Sequence, residues 1–172
     1  MLDAQPRGRA LDLACGRGRN ALFLAGRGFE VDALDISDVA IEQVERHARE
    51  HRAPITGNRV DLGDEPASPC PPYAVVLNLH FLERRVLPMV EEVLAPGGLV
   101  FFEAFVRDRR GERSAAVDPR FLLEPGELLA AFPALRVLEY REAVGLGDPR
   151  GRQVATLLAR RPDALPARRV AS

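Results

Sequence analysis

Ala10-Leu11-Asp12-Leu13-Ala14-Cys15-Gly16-Arg17-Gly18-Arg19-Asn20, residues 10–20, decides the fold of this chain. A short apolar run containing an acid is followed by two glycines and then by the helical pattern of residues 20–25. We interpret the segment as a strand, a tight turn and a helix. Gly16 and Gly18 let the backbone turn sharply and leave its N–H groups open to a ligand. The free amides at the start of the helix point into the same space, so the segment predicts a cofactor cradle.

The composition is that of an ordinary globular domain. Hydrophobic residues make up 47% of the 172 and charged residues 28%, which is typical of a soluble protein with its own core. We expect one domain over residues 1–161 and a flexible tail over residues 162–172. The net charge of −1, without a basic or aromatic platform, argues against nucleic acid or an anionic membrane as a partner.

The amino-terminal residues and the cysteines bear on the cellular location of the protein and on possible disulfide or metal sites. Residues 1–8 contain no apolar signal segment, and no apolar run approaches the roughly 20 residues that span a bilayer, so we expect a cytoplasmic protein. Cys15 and Cys70 make neither a disulfide framework nor a zinc spacing. His47 and His51 share a helix face but lack a third ligand, so no metal site is expected.

Strand and helix patterns alternate along the rest of the chain. Strands are predicted over residues 9–14, 29–34, 55–60, 73–78, 99–105, 135–143 and 153–160, and helices over residues 20–26, 37–51, 88–95 and 125–132. This alternation implies a parallel sheet with right-handed crossovers, whereas the last two strands, joined by a loop, must pair antiparallel. The predicted fold class is α/β: a Rossmann-like, doubly wound, mostly parallel sheet with helices on both faces and a C-terminal antiparallel strand pair.

Two local details accompany these elements. The inner stripe of the second helix is expected to include Val39, Ala40, Val44 and Ala48, with Ser37 as its N-cap. Pro96-Gly97-Gly98 is expected to form a turn before the fifth strand.

The glycine motif alone leaves two cofactor classes open. Gly16 to Ala21 matches G-x-G-x-x-A, and Asp35 follows the second strand, which is also how a dinucleotide-binding fold begins. Asp12 argues against that class, because a carboxylate at the mouth of the cradle repels a pyrophosphate and suits an ammonium group. Asp61, at the end of the third strand, is placed to accept from an adenine amino group. An NAD(P)-binding oxidoreductase stays the alternative.

Four segments resemble class I S-adenosylmethionine-dependent methyltransferases. Residues 12–18 are similar to the acid-x-Gly-x-Gly-x-Gly motif of that family, with Ala14 where the first glycine is usual. Residues 34–37 resemble the acid after the second strand, residues 60–62 the adenine-contacting segment, and residues 94–99 the turn before strand five. Residues 78–84 and 101–105 look most like the small tellurite-resistance-type methyltransferases.

The resemblance implies S-adenosylmethionine as cofactor and S-adenosylhomocysteine as product. Asp12 and the loop amides would hold the methionine moiety, Asp35 the ribose, and Ile36 and Asp61 the adenine. The full set of implied cofactor-binding residues is Asp12, Ala14, Gly16, Gly18, Asn20, Asp35, Ile36, Asp61, Leu62 and Asn78.

The methyl acceptor is expected to be a small molecule: a thiol, an oxyanion or a similar nucleophile. Its contacts would come from the ends of the fourth and fifth strands, at Asn78, His80, Phe81, Glu103 and Phe105. His80 is the candidate catalytic residue, because imidazole accepts protons near neutral pH. A soft anionic nucleophile needs no base, and then His80 would be a packing residue.

Structural roles are the other interpretation of several of these residues. Cys15 at a helix start would be a small packing residue rather than a nucleophile, Asp35 and Asp61 would cap the turns that follow them, and Glu103 would pair with an arginine. The family usually has a helical segment before the first strand, covering the cofactor, and because the first strand is predicted to start by about residue 9, we expect almost none of that segment here. A non-catalytic or partner-dependent S-adenosylmethionine-binding protein is therefore a further alternative, and the oligomeric state is not indicated.

Overall fold

The computed structural model describes residues 7–64, 72–108, 117–145 and 151–163. Its strands are β1 (Arg9–Leu13), β2 (Glu30–Asp35), β3 (Ile55–Arg59), β4 (Tyr73–Leu79), β5 (Leu94–Phe105), β6 (Arg136–Val144) and β7 (Gln153–Arg160). Its α-helices are α1 (Arg19–Ala25), α2 (Asp38–His51), α3 (Val86–Val93) and α4 (Glu127–Ala130), and a 3-10 turn covers Pro119–Phe121. Cys70, most of the predicted tail and residues 109–116 lie outside the described residues.

All seven strands form one sheet in the order β3-β2-β1-β4-β5-β7-β6. Strands β1 to β5 pair in parallel, and β7 runs antiparallel to both β5 and β6. The predicted fold class is confirmed, including the antiparallel pair at the carboxyl end.

The strand order reverses between β1 and β4. The chain builds outward from β1 through β2 to β3 and then returns to place β4 on the other side of β1. In open α/β sheets, ligands bind outside the carboxyl ends of the strands at such a reversal. The loops after β1 and β4 therefore meet where a ligand is expected.

Two apolar layers pack on the two faces of the sheet. One contains Ala21 and Leu24 of α1 and Ile41 and Val44 of α2, packed on one face, which we call the α1 face. The other contains the apolar residues of α3 and Leu128 of α4 on the opposite face. Strand β1 is buried on both faces, as its continuous apolar run predicts.

The predicted stripe of α2 needs a correction at Val39. The buried residues of the helix are Ile41, Val44 and Ala48, whereas Val39 is 64% exposed. Residues two positions apart on a helix differ by about 200° in direction, so Val39 points away from the face that Ile41 buries. The Ser37 hydroxyl accepts from the Ala40 amide at 3.3 Å, which confirms the predicted N-cap.

Strand β5 begins earlier than predicted. Leu94 already pairs with Tyr73, and the register then shifts so that Val75 pairs with Leu99. The expected turn at residues 96–98 is instead an irregular, bulged stretch inside β5. The preceding helix accordingly ends at Val93 rather than at residue 95.

Gly18 supports a first test of this packing. A Cβ on Gly18, at φ +75°, would lie 2.8 Å from Val44 Cγ2 of α2, whereas a Cβ on Gly126, at φ +80°, would meet nothing within 4 Å. Gly18→Ala should lower the free energy of unfolding by roughly 3 kcal/mol, because the left-handed backbone is unfavourable for alanine and its Cβ would overpack against Val44. Gly126→Ala, the matched control, should cost about 1 kcal/mol. Equal losses in urea unfolding would contradict the role of the α1–α2 contact.

Candidate cofactor and acceptor site

Three left-handed residues shape the loop after β1. Ala14, Gly16 and Gly18 have φ of 50°, 52° and 75°. Ala14 adopts this conformation with a Cβ, which costs about 1 kcal/mol, and this is the position where the motif usually has glycine. A Cβ on Gly16 would meet nothing within 4 Å. The space beside Gly16 is therefore open to a ligand.

Asp35 ties this loop to β2. Its Oδ2 accepts from the Gly16 amide at 2.8 Å, and its Oδ1 accepts from the Ser37 amide at 2.9 Å. A carboxylate has about four lone-pair positions, so both oxygens keep room for hydroxyl donors. The turn-closing role and the ribose-binding role that the sequence left as alternatives are therefore compatible at this carboxylate.

Asp12 is a buried acid with an unpartnered oxygen. The residue is 1% exposed, and its Oδ2 has no hydrogen-bond partner. Burial raises the pKa of Asp12 to about 7, the Ala21 amide opposes the shift, and the charge of Asp35 adds to it. An unpaired buried acceptor is costly, so this oxygen is suited to a ligand that brings a donor or a positive charge.

Asn78 carries a second unpartnered oxygen on the opposite face of the sheet. Its Nδ2 donates to the Phe81 carbonyl at 2.7 Å, and its buried Oδ1 has no partner. Asn78 pairs in register with Leu13, whereas Asp12 pairs with Leu77. The two oxygens therefore face different sides of the sheet, and the Asn78 amide fixes the loop that carries His80 and Phe81.

The predicted adenine side lies after β2 and β3. Ile36 is 55% exposed, so its side chain offers an uncovered apolar surface. Asp61 Oδ1 accepts from the Gly63 amide at 2.8 Å and closes a turn there. Leu62 is buried in the core, so its side chain packs inside the protein.

Four residues meet at the ends of β4, β5 and β7. The Thr156 hydroxyl donates to Glu103 Oε2 at 2.8 Å, and His80 Nδ1 lies 3.6 Å from Glu103 Oε1. The His80 ring stacks on Phe105 with 5.3 Å between centroids and 13° between planes. The sequence identified His80, Glu103 and Phe105 but not Thr156, whose signal is a polar side chain within the apolar run of residues 154–158.

Arg84 locks the loop after β4 against the segment before α4. Its guanidinium donates to both carboxylate oxygens of Glu127, at 2.6 and 2.9 Å, and to the carbonyls of Arg120 and Leu122, both at 2.9 Å. This pairing lowers the pKa of the Glu127 carboxyl. Sequence analysis missed the contact, because the two side chains are 43 residues apart.

An apolar groove of about 610 Å³ runs beside α1 on the α1 face. Arg19 and Asn20, at the start of α1, form part of its rim. The whole lining comprises Arg19, Asn20, Phe23, Val75, Leu77, Leu79, Leu99, Phe101 and Leu158. The groove thus approaches both the cradle and Glu103, which neighbours Leu79 in register.

Cys15, His47 and His51 are the remaining candidates from the sequence analysis. Cys15 is buried, and burial raises the pKa of its thiol to about 12, which favours the packing interpretation over a reactive thiolate. The His51 Nδ1 lies 3.0 Å from the His47 carbonyl. Across residues 7–64, 72–108, 117–145 and 151–163, no group of three or more histidine, cysteine or acidic side chains is arranged to hold a metal. Nor does this part of the chain contain a helix of membrane-spanning length and apolarity.

Comparison with known families identifies the domain to which this loop belongs. A family model described as "Methyltransferase domain" matches residues 10–98, slightly more than half of the chain. The chain belongs to this methyltransferase family. The match begins in β1, contains the glycine loop and Asp35, and ends at Gly98 inside β5.

Two curated relatives are similar at the level of sequence. Hemagglutinin 1 of Eikenella corrodens is 28% identical over 166 residues, which cover 90% of this chain and 55% of that protein. The ubiquinone biosynthesis O-methyltransferase of Alkalilimnicola ehrlichii is 28% identical over 121 residues, 67% of this chain and 49% of that enzyme. The chain spans about half the length of these relatives.

A solved structure has the same fold. TehB from Haemophilus influenzae superposes with a TM-score of 0.75 at 21% identity, covering 92% of this chain and 58% of that one. The similarity expected from residues 78–84 and 101–105 is confirmed in the fold.

S-adenosylmethionine is the cofactor of this methyltransferase domain, and the donor set of the site fits it. Asp12 Oδ2, which has no partner, would accept from the cofactor's ammonium group, Asp35 would accept from its ribose hydroxyls, and the open side of Gly16 leaves room for close approach.

The raised pKa of Asp12 gives a prediction about stability. A carboxyl with a pKa of about 7 in the folded state and 3.8 as its ordinary value binds protons more tightly when folded, so wild-type stability falls as pH rises between these values. Asp12→Asn removes this loss. Its free energy of unfolding relative to wild type should rise by roughly 2 to 3 kcal/mol from pH 5 to pH 8.

Urea unfolding of both proteins, free of ligand and in matched buffers, measures this difference. A difference that stays constant from pH 5 to pH 8 would contradict the burial of Asp12 and the lack of a partner for its Oδ2.

Proposed function

We propose that the protein transfers the methyl group of S-adenosylmethionine to a small-molecule acceptor. The observation that supports this most is the buried Asp12 carboxylate, whose Oδ2 has no partner, beside the open glycine cradle and Asp35, next to the strand-order reversal. The cofactor supplies an activated methyl group on a sulfonium. The protein's part is to hold that group in line with the acceptor and to exclude water.

The proposed cofactor-binding residues are assigned to the separate parts of S-adenosylmethionine. Asp12 and the loop of Ala14, Gly16, Gly18 and Asn20 hold the methionine part. Asp35 accepts from the ribose hydroxyls while it keeps its bond to the Gly16 amide. Ile36 packs on the adenine, and Asp61, with Leu62 beside it, contacts its polar edge. Asn78 contributes by holding the Phe81 loop over the end of β4.

The acceptor side is formed by His80, Phe81, Glu103 and Phe105. These residues lie at the carboxyl ends of β4 and β5, next to the cradle in the strand order. Net charge near neutrality and the apolar groove beside them favour a small organic acceptor over a nucleic acid. The O-methyltransferase relatives support an acceptor of this kind.

Asp12 is also the reason to prefer this cofactor over a nicotinamide dinucleotide. Its carboxylate contacts the amide of Ala21 in α1, at the helix end where a dinucleotide-binding fold places its pyrophosphate. An anionic side chain there opposes a second anion and favours the ammonium group of S-adenosylmethionine.

Isothermal titration with S-adenosylmethionine, S-adenosylhomocysteine and NADH tests the cofactor class. We expect micromolar affinity for the first two and none for NADH. Binding of NADH alone would overturn the proposed function. Binding of S-adenosylmethionine without methylation of any acceptor in a screen of alcohols, phenols, thiols and oxyanions would instead favour a binding protein.

Asp35→Ala should weaken S-adenosylmethionine binding by on the order of 1–3 kcal/mol, because the ribose hydroxyls lose a charged acceptor. The matched control is Asp38→Ala, three residues along, whose carboxylate pairs with Arg59 at 3.0 Å. Thermal melts of both variants establish that they fold. Unchanged affinity in Asp35→Ala would remove its assigned role.

A further inference from the structure

The pairing register aligns three residues side by side on the α1 face. Leu79 of β4 pairs with Glu103 of β5, and Glu103 pairs with Thr156 of β7. Asp12 of β1 pairs with Leu77 on the same face. Since neighbouring strands lie about 4.8 Å apart, Glu103 is roughly 10 Å from the strand that carries Asp12. Leu79, Glu103 and Thr156 therefore lie beside the cofactor cradle, on the acceptor side.

Glu103 is held in place by Thr156. The threonine hydroxyl donates to Glu103 Oε2 at 2.8 Å, and the side chain of Glu103 is only 17% exposed. This bond leaves the other carboxylate oxygen, Oε1, directed at His80, whose Nδ1 is 3.6 Å away. The distance is too long for a hydrogen bond and suits an ion pair when the imidazole is protonated.

His80 is held in an unusual conformation by three contacts. Its amide donates to the Glu103 carbonyl at 2.7 Å, its ring stacks on Phe105, and its Nδ1 faces Glu103. Its φ is +62°, which is unfavourable for a residue with a Cβ, and such strain concentrates at functional sites. The side chain is nevertheless 56% exposed, so Nε2 is available to a bound molecule.

We propose that His80 is the general base for a neutral hydroxyl acceptor, with Glu103, Thr156 and Phe105 as positioning residues. This inference rests on the proposed function and names its acceptor class. As the acceptor oxygen bonds to the methyl carbon, the carbon–sulfur bond breaks and its electron pair stays on sulfur. The hydroxyl proton moves to His80 Nε2, and the carboxylate of Glu103 stabilises the resulting imidazolium.

A hydroxyl is favoured over a thiolate or an oxyanion because only the neutral nucleophile requires this cluster. An anion already carries the electron pair that forms the new bond, whereas an alcohol or phenol must lose its proton during transfer. A carboxylate that faces Nδ1 and stabilises the protonated imidazole, with Nε2 left exposed, suits the acceptance of such a proton.

His80→Gly is the decisive variant, because glycine adopts the φ of +62° without strain and the loop should keep its shape. Formation of S-adenosylhomocysteine is measured with phenol, catechol and hexanol as hydroxyl probes, and with 2-mercaptoethanol and tellurite for comparison. Wild type should methylate at least one hydroxyl probe. His80→Gly should lower kcat for it by about 100-fold or more, leave the Kd for S-adenosylhomocysteine unchanged, and regain activity with added imidazole.

The positioning residues are tested with conservative pairs. Glu103→Gln keeps an acceptor for the Thr156 hydroxyl but removes the charge, so kcat should fall about tenfold or more with KM unchanged. Thr156→Val should lower kcat similarly, and Thr156→Ser, which restores the hydroxyl, should recover it. A purely structural role would instead lower the melting temperature without the serine rescue.

Three results would overturn this inference. They are undiminished kcat in His80→Gly, loss of activity that imidazole does not restore, and methylation by wild type of the thiol or tellurite but of none of the hydroxyl probes. Failure of wild type to bind S-adenosylhomocysteine would overturn the proposed function itself, and the acceptor class with it.

Discussion

The hydrogen bond from the Gly16 amide to the Asp35 carboxylate is the contact on which the rest of the site depends. It joins the loop after β1 to the end of β2 at 2.8 Å, and the Cys15 amide reinforces the junction by donating to the Leu34 carbonyl at 2.9 Å. With the loop fixed there, Gly18 lies against Val44 of α2 and α1 begins in line with the cradle. The geometry that packs the two helices thus also keeps the space beside Gly16 open to a ligand.

Asp12 connects the stability of the fold to its function. Its burial without a partner for Oδ2 is unfavourable for the ligand-free protein, as the raised pKa expresses. A ligand with an ammonium group would replace the missing partner and relieve this cost. Asp12 therefore lowers the stability of the ligand-free protein and favours binding of a cationic ligand, a combination that is common at binding sites.

Much of the cradle could be predicted from sequence because its signals are local. The apolar run of β1, the glycines at 16 and 18 and the acid after β2 each follow from short-range backbone chemistry. The links between distant segments could not be predicted in this way. Thr156 and Glu103 are 53 residues apart and meet only through the antiparallel register of β5 and β7. The opposite faces of Asp12 and Asn78, and the left-handed backbone of His80, likewise depend on strand pairing that residue type does not determine.

A crystal structure of the protein with S-adenosylhomocysteine would test the central claim most directly. We predict ribose hydroxyls within hydrogen-bond distance of both Asp35 oxygens, the amino group of the ligand at Asp12 Oδ2, and the Gly16–Asp35 bond intact. A ligand bound elsewhere, or bound in the cradle with its amino group away from Asp12 and its ribose away from Asp35, would contradict the assignment of this loop as the cofactor site.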